Sequence, residues 1–189
     1  MSRNHVIGVD DQLPWNLPED RKAFVALTAD KILIIGRRTF EEEPNQSHIS
    51  HVSRCIVVSN TMTIDNYGSD RIKLARSFPE ALSLAKKLVD EMMPNRSNID
   101  ESEDTSLDNV ECWVAGGEQL FHLALLHPSA RSLHLTVVDT DVDTETGEIA
   151  KFPAKYRWDN KFELEVTSET KKGEPSFTEH VYRRIKGRR

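Results

Sequence analysis

Asp20 is the residue of this sequence whose position most clearly indicates chemistry. It lies in Val6–Thr28, VIGVDDQLPWNLPEDRKAFVALT, which predicts a strand end, a loop and a helix that begins at Pro18. Asp20, Phe24 and Leu27 are spaced i, i+4 and i+7, so we expect them to share the helix face that points inward. A carboxylate against an apolar wall is costly unless it has a partner or a task. The alternative, for an isolated helix, is an ordinary acid in the first turn, where it favours the helix dipole.

Two junctions between a strand and a helix have the composition of phosphate-binding sites. One apolar run, KILIIG, is followed at once by Arg37, Arg38 and Thr39, and another, CWVA, ends in Gly116 and Gly117. Free backbone N–H groups, forked arginine donors and glycines without a Cβ all favour an anion. Each junction also has an ordinary interpretation, which is a solvated basic pair for the first and a packing turn for the second.

The elements around these residues predict an α/β fold. Continuous apolar runs indicate strands that are buried on both faces, and they alternate with helical segments. The final two strands, Lys161–Val166 and Phe177–Ile185, predict an antiparallel hairpin. We therefore expect a mixed, mostly parallel central sheet flanked by helices, with a C-terminal antiparallel hairpin. The other predicted elements are strands at Lys31–Gly36, Arg54–Ser59, Ile72–Ala75 and Arg131–Asp139, a helix at FPEALSLAKKLVDEMM with Ala81, Leu84, Ala85 and Leu88 inward, and a polar loop at Val142–Ala150.

The composition limits the classes of function. The 189 residues suit one domain over 1–189, with an acidic, mobile surface insertion at about 94–109. An apolar content of 38% and a charged content of 30% are typical of soluble globular proteins. The formal charge of −6 argues against a nucleic-acid partner, and no apolar run approaches membrane-spanning length.

The N-terminus, the cysteines and the histidines indicate a cytoplasmic protein without a metal. The opening residues MSRNHVIG match neither a signal peptide nor a transit peptide, although organelle import stays open if the true start lies upstream. Cys55 and Cys112 lie in or beside apolar runs, so we expect both to be buried and reduced. His48 and His51 have no cysteine or acid at ligand spacing, which argues against a metal site.

The pattern VIGxxxxLPWxLPxDxxxFxxLT resembles the active-site loop and first helix of dihydrofolate reductase. The shared residues include unusual ones, namely Pro14, Trp15, Pro18, Asp20, Phe24 and Thr28. The resemblance implies a dihydrofolate-reductase-like fold and the NADPH-dependent reduction of 7,8-dihydrofolate to 5,6,7,8-tetrahydrofolate, a step of one-carbon metabolism. It also implies a protein that acts as a monomer on a small-molecule substrate.

The resemblance assigns roles in catalysis and substrate binding. Asp20 would accept two hydrogen bonds from the pterin ring, Trp15 would bind an ordered water near the acid, and Thr136 would share a hydrogen-bond network with it. Phe24 would pack on the substrate rings. The implied catalytic residues are Asp20, Trp15 and Thr136, and the implied substrate-binding residues are Ile7, Asp20, Arg21 and Phe24.

The resemblance also implies a set of residues that bind NADPH. Leu13 would press on the nicotinamide, the two strand-to-helix junctions would hold the pyrophosphate region, and residues after the next two strands would surround the adenosine ribose and its extra phosphate. The implied set is Ile7, Gly8, Leu13, Arg37, Arg38, Thr39, Ser59, Asn60, Arg76, Ser77, Ala115, Gly116, Gly117, Gln119, Leu120 and Phe121.

Several departures from the family pattern bear on activity. The arginine that clamps the substrate's glutamate tail aligns with Ser53, and Arg54 comes one residue late, which reverses its face in a strand. Arg21 is a candidate to take over that carboxylate. Only five residues precede Val6, where the family has a strand of about ten residues, so we expect exposed sheet edges or a start upstream. The remaining departures are Arg21 in place of a hydrophobe, Glu42 and Glu43 in place of serine and an apolar residue, and Phe121 in place of tyrosine.

Three functions are therefore compatible with the sequence. The first is an active, NADPH-dependent dihydrofolate reductase, which the complete Asp20 motif favours. The second is a divergent relative that binds NADP(H) or a pterin with little or no catalysis, which the changed tail site favours. The third is a sister reductase of the riboflavin pathway on the same fold, and the LPW motif argues against it.

Overall fold

A computed structural model of the chain describes residues 1–42, 46–63, 70–92, 112–154, 158–171 and 173–185. These residues form nine strands and four α-helices. They divide into two compact units, which are Met1–Phe24 with Gly117–Arg189 (unit 1) and Val25–Gly116 (unit 2). The single domain stays a prediction, and the segment predicted as a surface insertion, 94–109, lies outside the described residues.

A four-stranded parallel sheet forms the centre of unit 2. Its strands are β2 (Ile32–Gly36), β3 (Arg54–Val58), β4 (Ile72–Ala75) and β5 (Cys112–Val114). They lie in the order β4-β3-β2-β5, and every neighbouring pair is parallel. The apolar run of β2 is buried, with 0% exposure for Ile32 and Ile34, whereas β5 is only partly buried. The prediction that the run after Lys31 and the run before Gly116 share one sheet is confirmed.

The helices agree with the sequence predictions in position. They are α1 (Pro18–Thr28), α2 (Arg37–Glu41), α3 (Phe78–Met92) and α4 (Glu118–Leu126), with a 3-10 turn at Ser47–Ile49. In α3 the buried residues include Ala81, Ala85 and Leu88, as predicted, whereas Leu84 is only half-buried. The prediction that Leu27 lies on the inward face of α1 is wrong, since Leu27 is 37% exposed. Thr28 is the buried residue of that last turn.

A three-stranded antiparallel sheet dominates unit 1. It consists of β6 (Ser132–Val138), β8 (Phe162–Thr167) and β9 (Phe177–Arg184) in the order β6-β9-β8. The predicted C-terminal hairpin is therefore confirmed. Within β8, Phe162 is buried, whereas Leu164 and Val166 are about half exposed and the register shifts between them.

Two short strands pair elsewhere in unit 1. Strand β1 (Val6–Val9) runs antiparallel to β7 (Ile149–Lys151). The predicted polar loop at Val142–Ala150 is therefore wrong at its end, where Ile149 and Ala150 belong to β7. A strand of three residues is too short for its periodicity to be read from the sequence.

The first residues run alongside β6. Ser2 forms a parallel bridge with Val138, and the N–H of Val138 donates to the carbonyl of Met1 at 2.8 Å. Ser2 is completely buried, and its hydroxyl accepts from the N–H of Val6 at 2.9 Å. Arg3 forms two exposed ion pairs, with Asp139 and Asp141, in the segment after β6. The short polar start of the chain is thus fastened along the end of β6.

The apolar core of unit 1 is rich in aromatic rings. Trp158, which is 2% exposed, meets the rings of Phe152, Phe162 and Tyr182 edge-on. Its indole N–H donates to the carbonyl of Pro153 at 3.1 Å, so the buried polar atom has a partner. This cluster supports the sheet on which Thr136 of β6 is carried.

The two cysteines differ in burial. Cys55 in β3 is buried, and burial raises the pKa of its thiol to about 12. Cys112, which begins the edge strand β5 of the described sheet, is exposed as a residue, yet burial also raises the pKa of its thiol to about 12. The prediction of a buried residue is therefore wrong for Cys112, whereas the sheltered thiol agrees with it. Both cysteines are free thiols. No helix among the described residues has the length and apolar character needed to span a membrane.

Candidate active site

A short hydrogen bond joins the two polar residues that the sequence singled out. The hydroxyl of Thr136 donates to Oδ1 of Asp20 at 2.6 Å, although the residues are 116 positions apart. Thr136 lies inside β6, opposite Glu179 of β9, so its position is fixed by the sheet. Asp20 is in the first turn of α1, where the N–H of Arg21 donates to the carbonyl of Leu17. One carboxylate oxygen is thereby held by a rigid strand.

The amino group of Met1 lies close to this pair. It donates to the backbone carbonyl of Thr136 at 2.5 Å. Burial lowers the pKa of this amino group from 8.0 to about 6, and the negative charge of Asp20 partly opposes that shift. This contact could not be predicted from the local sequence, because it depends on a pairing between residues 135 positions apart.

The loop between β1 and α1 is fastened at its turn. Val9 and Gln12 exchange two backbone hydrogen bonds, and Asp10 and Asp11 between them have positive φ. Oδ1 of Asp10 accepts the N–H of Glu148 at 2.8 Å, and the N–H of Asp10 donates to the carbonyl of Glu148 at 3.0 Å. The start of this loop is therefore tied to the segment before β7.

The rest of the loop packs unevenly. Trp15 packs on a small buried cluster of Leu17, Val138 and Phe177, which places its indole beside the end of β6. Leu13, by contrast, is 49% exposed. An exposed leucine in this position is available for contact with a ligand, which is the role that the resemblance implies for it.

Other residues implied to bind ligands in unit 1 lie in or beside its core. Ile7 and Phe121 are partly buried against the aromatic cluster, and the ring of Phe121 lies 5.3 Å from that of Phe152. Leu120 is 6% exposed, whereas Gln119 is exposed. Leu120 is therefore explained as a core residue by its burial alone. Gly8 pairs with Ala150 of β7, Gly117 is the N-cap of α4, and Phe24 is half-buried in α1.

In unit 2, the two strand-to-helix junctions meet. The N–H of Gly36, at the end of β2, donates to the carbonyl of Gly116 at 2.8 Å. Gly116 has φ +135°, and a Cβ at this position would lie 3.0 Å from the hydroxyl oxygen of Thr39. Only glycine fits this approach without strain. Ala115 continues the same junction, with its N–H donating to the carbonyl of Ile34. The two junctions, to which the resemblance assigns one part of the cofactor, are therefore in direct contact, and their role in binding stays a prediction.

The arginines after β2 have different surroundings. Nη1 of Arg37 forms an exposed ion pair with Glu41 at 2.7 Å, one turn further along α2. This pair reduces the charge that Arg37 can offer to an anion. Arg38 is exposed. Of the two acids that depart from the family pattern, Glu42 follows α2, and Glu43 lies outside the described residues.

At the carboxyl ends of β3 and β4, Arg76 is held by backbone atoms. Its Nη1 donates to the carbonyls of Ser59 at 3.1 Å and Met62 at 2.8 Å. The hydroxyl of Ser59 accepts the N–H of Met62 at 3.0 Å, so this serine shapes the loop rather than facing outward. Asn60 is exposed beside it. The hydroxyl of Ser77 accepts the N–H of Glu80 at 3.3 Å and caps α3.

The position implied for the substrate's tail holds no arginine. The hydroxyl of Ser53 instead contacts the sulfur of Met92, at the end of α3, at 3.9 Å. Nη1 of Arg54 donates to the carbonyl of Ser53 at 2.9 Å.

A histidine contacts the first helix. Nε2 of His51 lies 2.6 Å from the hydroxyl of the buried Thr28. Burial and the charges of His48 and Arg71 lower the pKa of His51. Arg21 is exposed on α1 in unit 1.

These features of unit 2 fit a phosphate as ligand. A pinned arginine, an exposed arginine and a close glycine junction are the donors that phosphates use. In the described part of the chain, no group of three histidine, cysteine or acidic residues could hold a metal.

Curated relatives match most of the chain. A dihydrofolate reductase type 3 from Salmonella typhimurium is 30% identical over 148 residues, covering 77% of this chain and 72% of the relative. The dihydrofolate reductase of Enterococcus faecium is 29% identical over 149 residues, covering 78% and 74%. A bifunctional dihydrofolate reductase-thymidylate synthase 2 from Arabidopsis thaliana is 28% identical over 147 residues. The match covers 74% of this chain but only 23% of that longer protein.

The fold is that of a solved dihydrofolate reductase from Enterococcus faecalis, described as a complex with NADP(H) and RAB-propyl. The TM-score is 0.68 at 21% identity, and the match covers 97% of this chain and 92% of that one. The family model described as dihydrofolate reductase matches residues 1–185. Since this match spans both units and includes Asp20 and Thr136, the chain belongs to the dihydrofolate reductase family.

Proposed function

We propose that this protein reduces 7,8-dihydrofolate to 5,6,7,8-tetrahydrofolate with NADPH. The observation that carries the proposal is the 2.6 Å hydrogen bond from Thr136 to Asp20, because it fixes the single carboxylate that the reaction needs. Family membership supports the substrate class. The NADP(H) in the Enterococcus faecalis complex supports the cofactor class, although that likeness by itself concerns the fold.

In unit 1, Asp20 would bind the pterin head group. A carboxylate can accept two parallel hydrogen bonds from an amino group and a ring N–H, which orients the ring and stabilises positive charge on it. Thr136 occupies part of the capacity of Oδ1, and a carboxylate oxygen accepts more than one hydrogen bond. The Thr136 bond would therefore restrict the rotation of the carboxylate without preventing that contact.

In unit 2, the phosphates of NADPH would be bound by Thr39, Gly116, Arg38 and Arg76. When bound, the cofactor supplies hydride chemistry, and the protein contributes orientation and electrostatics. The close approach of Gly116 to Thr39 leaves no space for a side chain at that junction. The guanidinium of Arg76, held through Nη1, would present its remaining N–H groups in a fixed direction.

A second candidate is a relative that binds these ligands with little turnover. The observation that favours it is Ser53, whose hydroxyl contacts Met92 at the position implied for the arginine of the tail site.

One experiment separates the two candidates. The loss of NADPH absorbance is followed with dihydrofolate, and the binding of each ligand is measured by calorimetry. Turnover that Asp20→Asn abolishes at neutral pH, while NADPH still binds, is the expected result. Binding of both ligands without turnover would favour the second candidate, and binding of neither would refute both.

A further inference from the structure

We propose that Glu80 sets the preference between NADPH and NADH, by opposing the extra phosphate beside Arg76. This inference rests on the proposed function, because it concerns the residue implied to read that phosphate. It concerns a carboxylate that neither the sequence motifs nor the family pattern brought into the site.

Glu80 is held close to Arg76 by the main chain. Its Oε2 accepts the backbone N–H of Arg76 at 2.8 Å, while its own N–H donates to the hydroxyl of Ser77 at 3.3 Å. These two bonds cap the N-terminus of α3 reciprocally. The carboxylate is therefore fixed one turn into a helix whose end would otherwise favour an anion.

The guanidinium of Arg76 has hydrogen-bond partners other than this carboxylate. It donates to the carbonyls of Ser59 and Met62 instead. Among the ion pairs of the described residues, none joins Arg76 to Glu80. The negative charge of Glu80 therefore remains in the neighbourhood of the arginine without being neutralised by direct contact.

An anion bound to Arg76 would lie within range of this charge. The Debye length is about 8 Å at physiological ionic strength, and Glu80 is hydrogen-bonded to the backbone of the same arginine, so the two charges are not fully screened from each other. A phosphate monoester, with up to two negative charges, would be repelled by Glu80, whereas an unphosphorylated ribose would not. The carboxylate would therefore weaken the binding of NADPH and leave the binding of NADH unchanged.

The test replaces the charge while it keeps the cap. Glu80→Gln retains an oxygen that can accept the N–H of Arg76, and Glu91→Gln makes the same change at the other end of α3. That control is eleven residues away, or about 16 Å at 1.5 Å per residue. The probes are adenosine 2′,5′-bisphosphate and adenosine 5′-monophosphate, which differ in the 2′-phosphate, with NADPH and NADH as the full cofactors. Dissociation constants are measured by calorimetry at low and high salt.

The expected result is selective. Glu80→Gln should lower the dissociation constants of the bisphosphate and of NADPH by about threefold to tenfold at low salt. This gain in affinity should shrink in high salt. The monophosphate, NADH and the Glu91→Gln variant should change by less than about twofold. Three results would overturn the inference even if the wild type binds NADPH. They are an unchanged ratio of the two probes' dissociation constants, an equal gain in affinity for both probes, and weaker binding of the bisphosphate. If the wild type binds neither NADPH nor the bisphosphate, the proposed function fails as well.

Discussion

Asp10 and Glu148 hold each other through two hydrogen bonds across 138 positions of the chain. The carboxylate of Asp10 accepts the N–H of Glu148 at 2.8 Å, and the carbonyl of Glu148 accepts the N–H of Asp10 at 3.0 Å. Gly147 sits directly against this contact with φ +82°, and a Cβ there would lie 2.8 Å from Oδ2 of Asp10. The loop that leads to Asp20 is thus anchored by a contact without room for another atom.

Gly147→Ala should destabilise the protein by about 1–3 kcal/mol, because it adds a collision to an unfavourable φ. In an Asp10→Ala background the collision with the carboxylate disappears, while the φ strain and a 3.1 Å approach to Cγ1 of Val9 remain, so the cost should fall without vanishing. Urea unfolding of the four members of this double-mutant cycle measures the difference. Strict additivity of the two substitutions would show that the contact does not form.

Asp20→Asn should keep NADPH binding but lose most hydride transfer to dihydrofolate at neutral pH, with partial recovery in acid, where substrate is already protonated. Thr136→Val should lower kcat more than it changes KM, since it frees the carboxylate to rotate. Thr136→Ser, which keeps the hydroxyl, is the matched control. Undiminished neutral-pH activity of Asp20→Asn would refute the assignment.

Arg38 and Arg76 are predicted to favour NADPH. Replacement of both by alanine should weaken NADPH much more than NADH, because the two cofactors differ by one phosphate. Arg37→Ala is the comparison, since Arg37 is paired with Glu41. Equal losses for NADPH and NADH would show that neither Arg38 nor Arg76 reads the 2′-phosphate.

Arg21 is predicted to bind the glutamate tail of dihydrofolate in place of the arginine that Ser53 replaces. A hydrogen bond to a charged group contributes about 1.5–3 kcal/mol, or about 10- to 100-fold in affinity, and less where water screens it. Arg21→Ala should therefore erase the preference for dihydrofolate over dihydropteroate, which lacks the glutamate. Lys22→Ala, the exposed neighbour, should leave that preference intact. A mutant that discriminates as well as the wild type would place the anchor elsewhere.

The amino group of Met1 should make stability depend on pH between about 6 and 8. Its pKa is lowered from 8.0 to about 6 in the folded chain, so the unfolded chain binds more protons in that window. Stability should therefore rise with pH, by about 2 kcal/mol for a shift of this size, and be lost as the pH falls toward 6. Unfolding followed by circular dichroism across this range measures it. A chain acetylated at Met1 should lack the rise, and an identical profile would contradict the assignment.

The buried strands were the most predictable part of this fold. The run ILIIG is apolar throughout because both faces of a parallel strand are covered, and the structure places it at 32–36. The contact between Asp20 and Thr136 was expected from the family resemblance, since nothing in their local sequence indicates that they meet.

Other features depend on long-range pairing and gave no local signal. The bond from Met1 to Thr136 and the carbonyl contacts of Arg76 involve backbone atoms, which carry no sequence information. The exposure of Leu27 and Leu164 arises where an element lies at an edge or an end, so periodicity predicts a face that the fold does not cover.

The distribution of the three tryptophans makes each unit separately visible by fluorescence. Trp15 and the buried Trp158 belong to unit 1, and Trp113 lies on β5 of unit 2. Emission from a Trp113→Phe chain therefore reports only on unit 1, and emission from a chain without the other two reports only on unit 2. Coincident unfolding midpoints for the two chains would mean that the units melt as one cooperative body, and separate midpoints would resolve a half-folded intermediate.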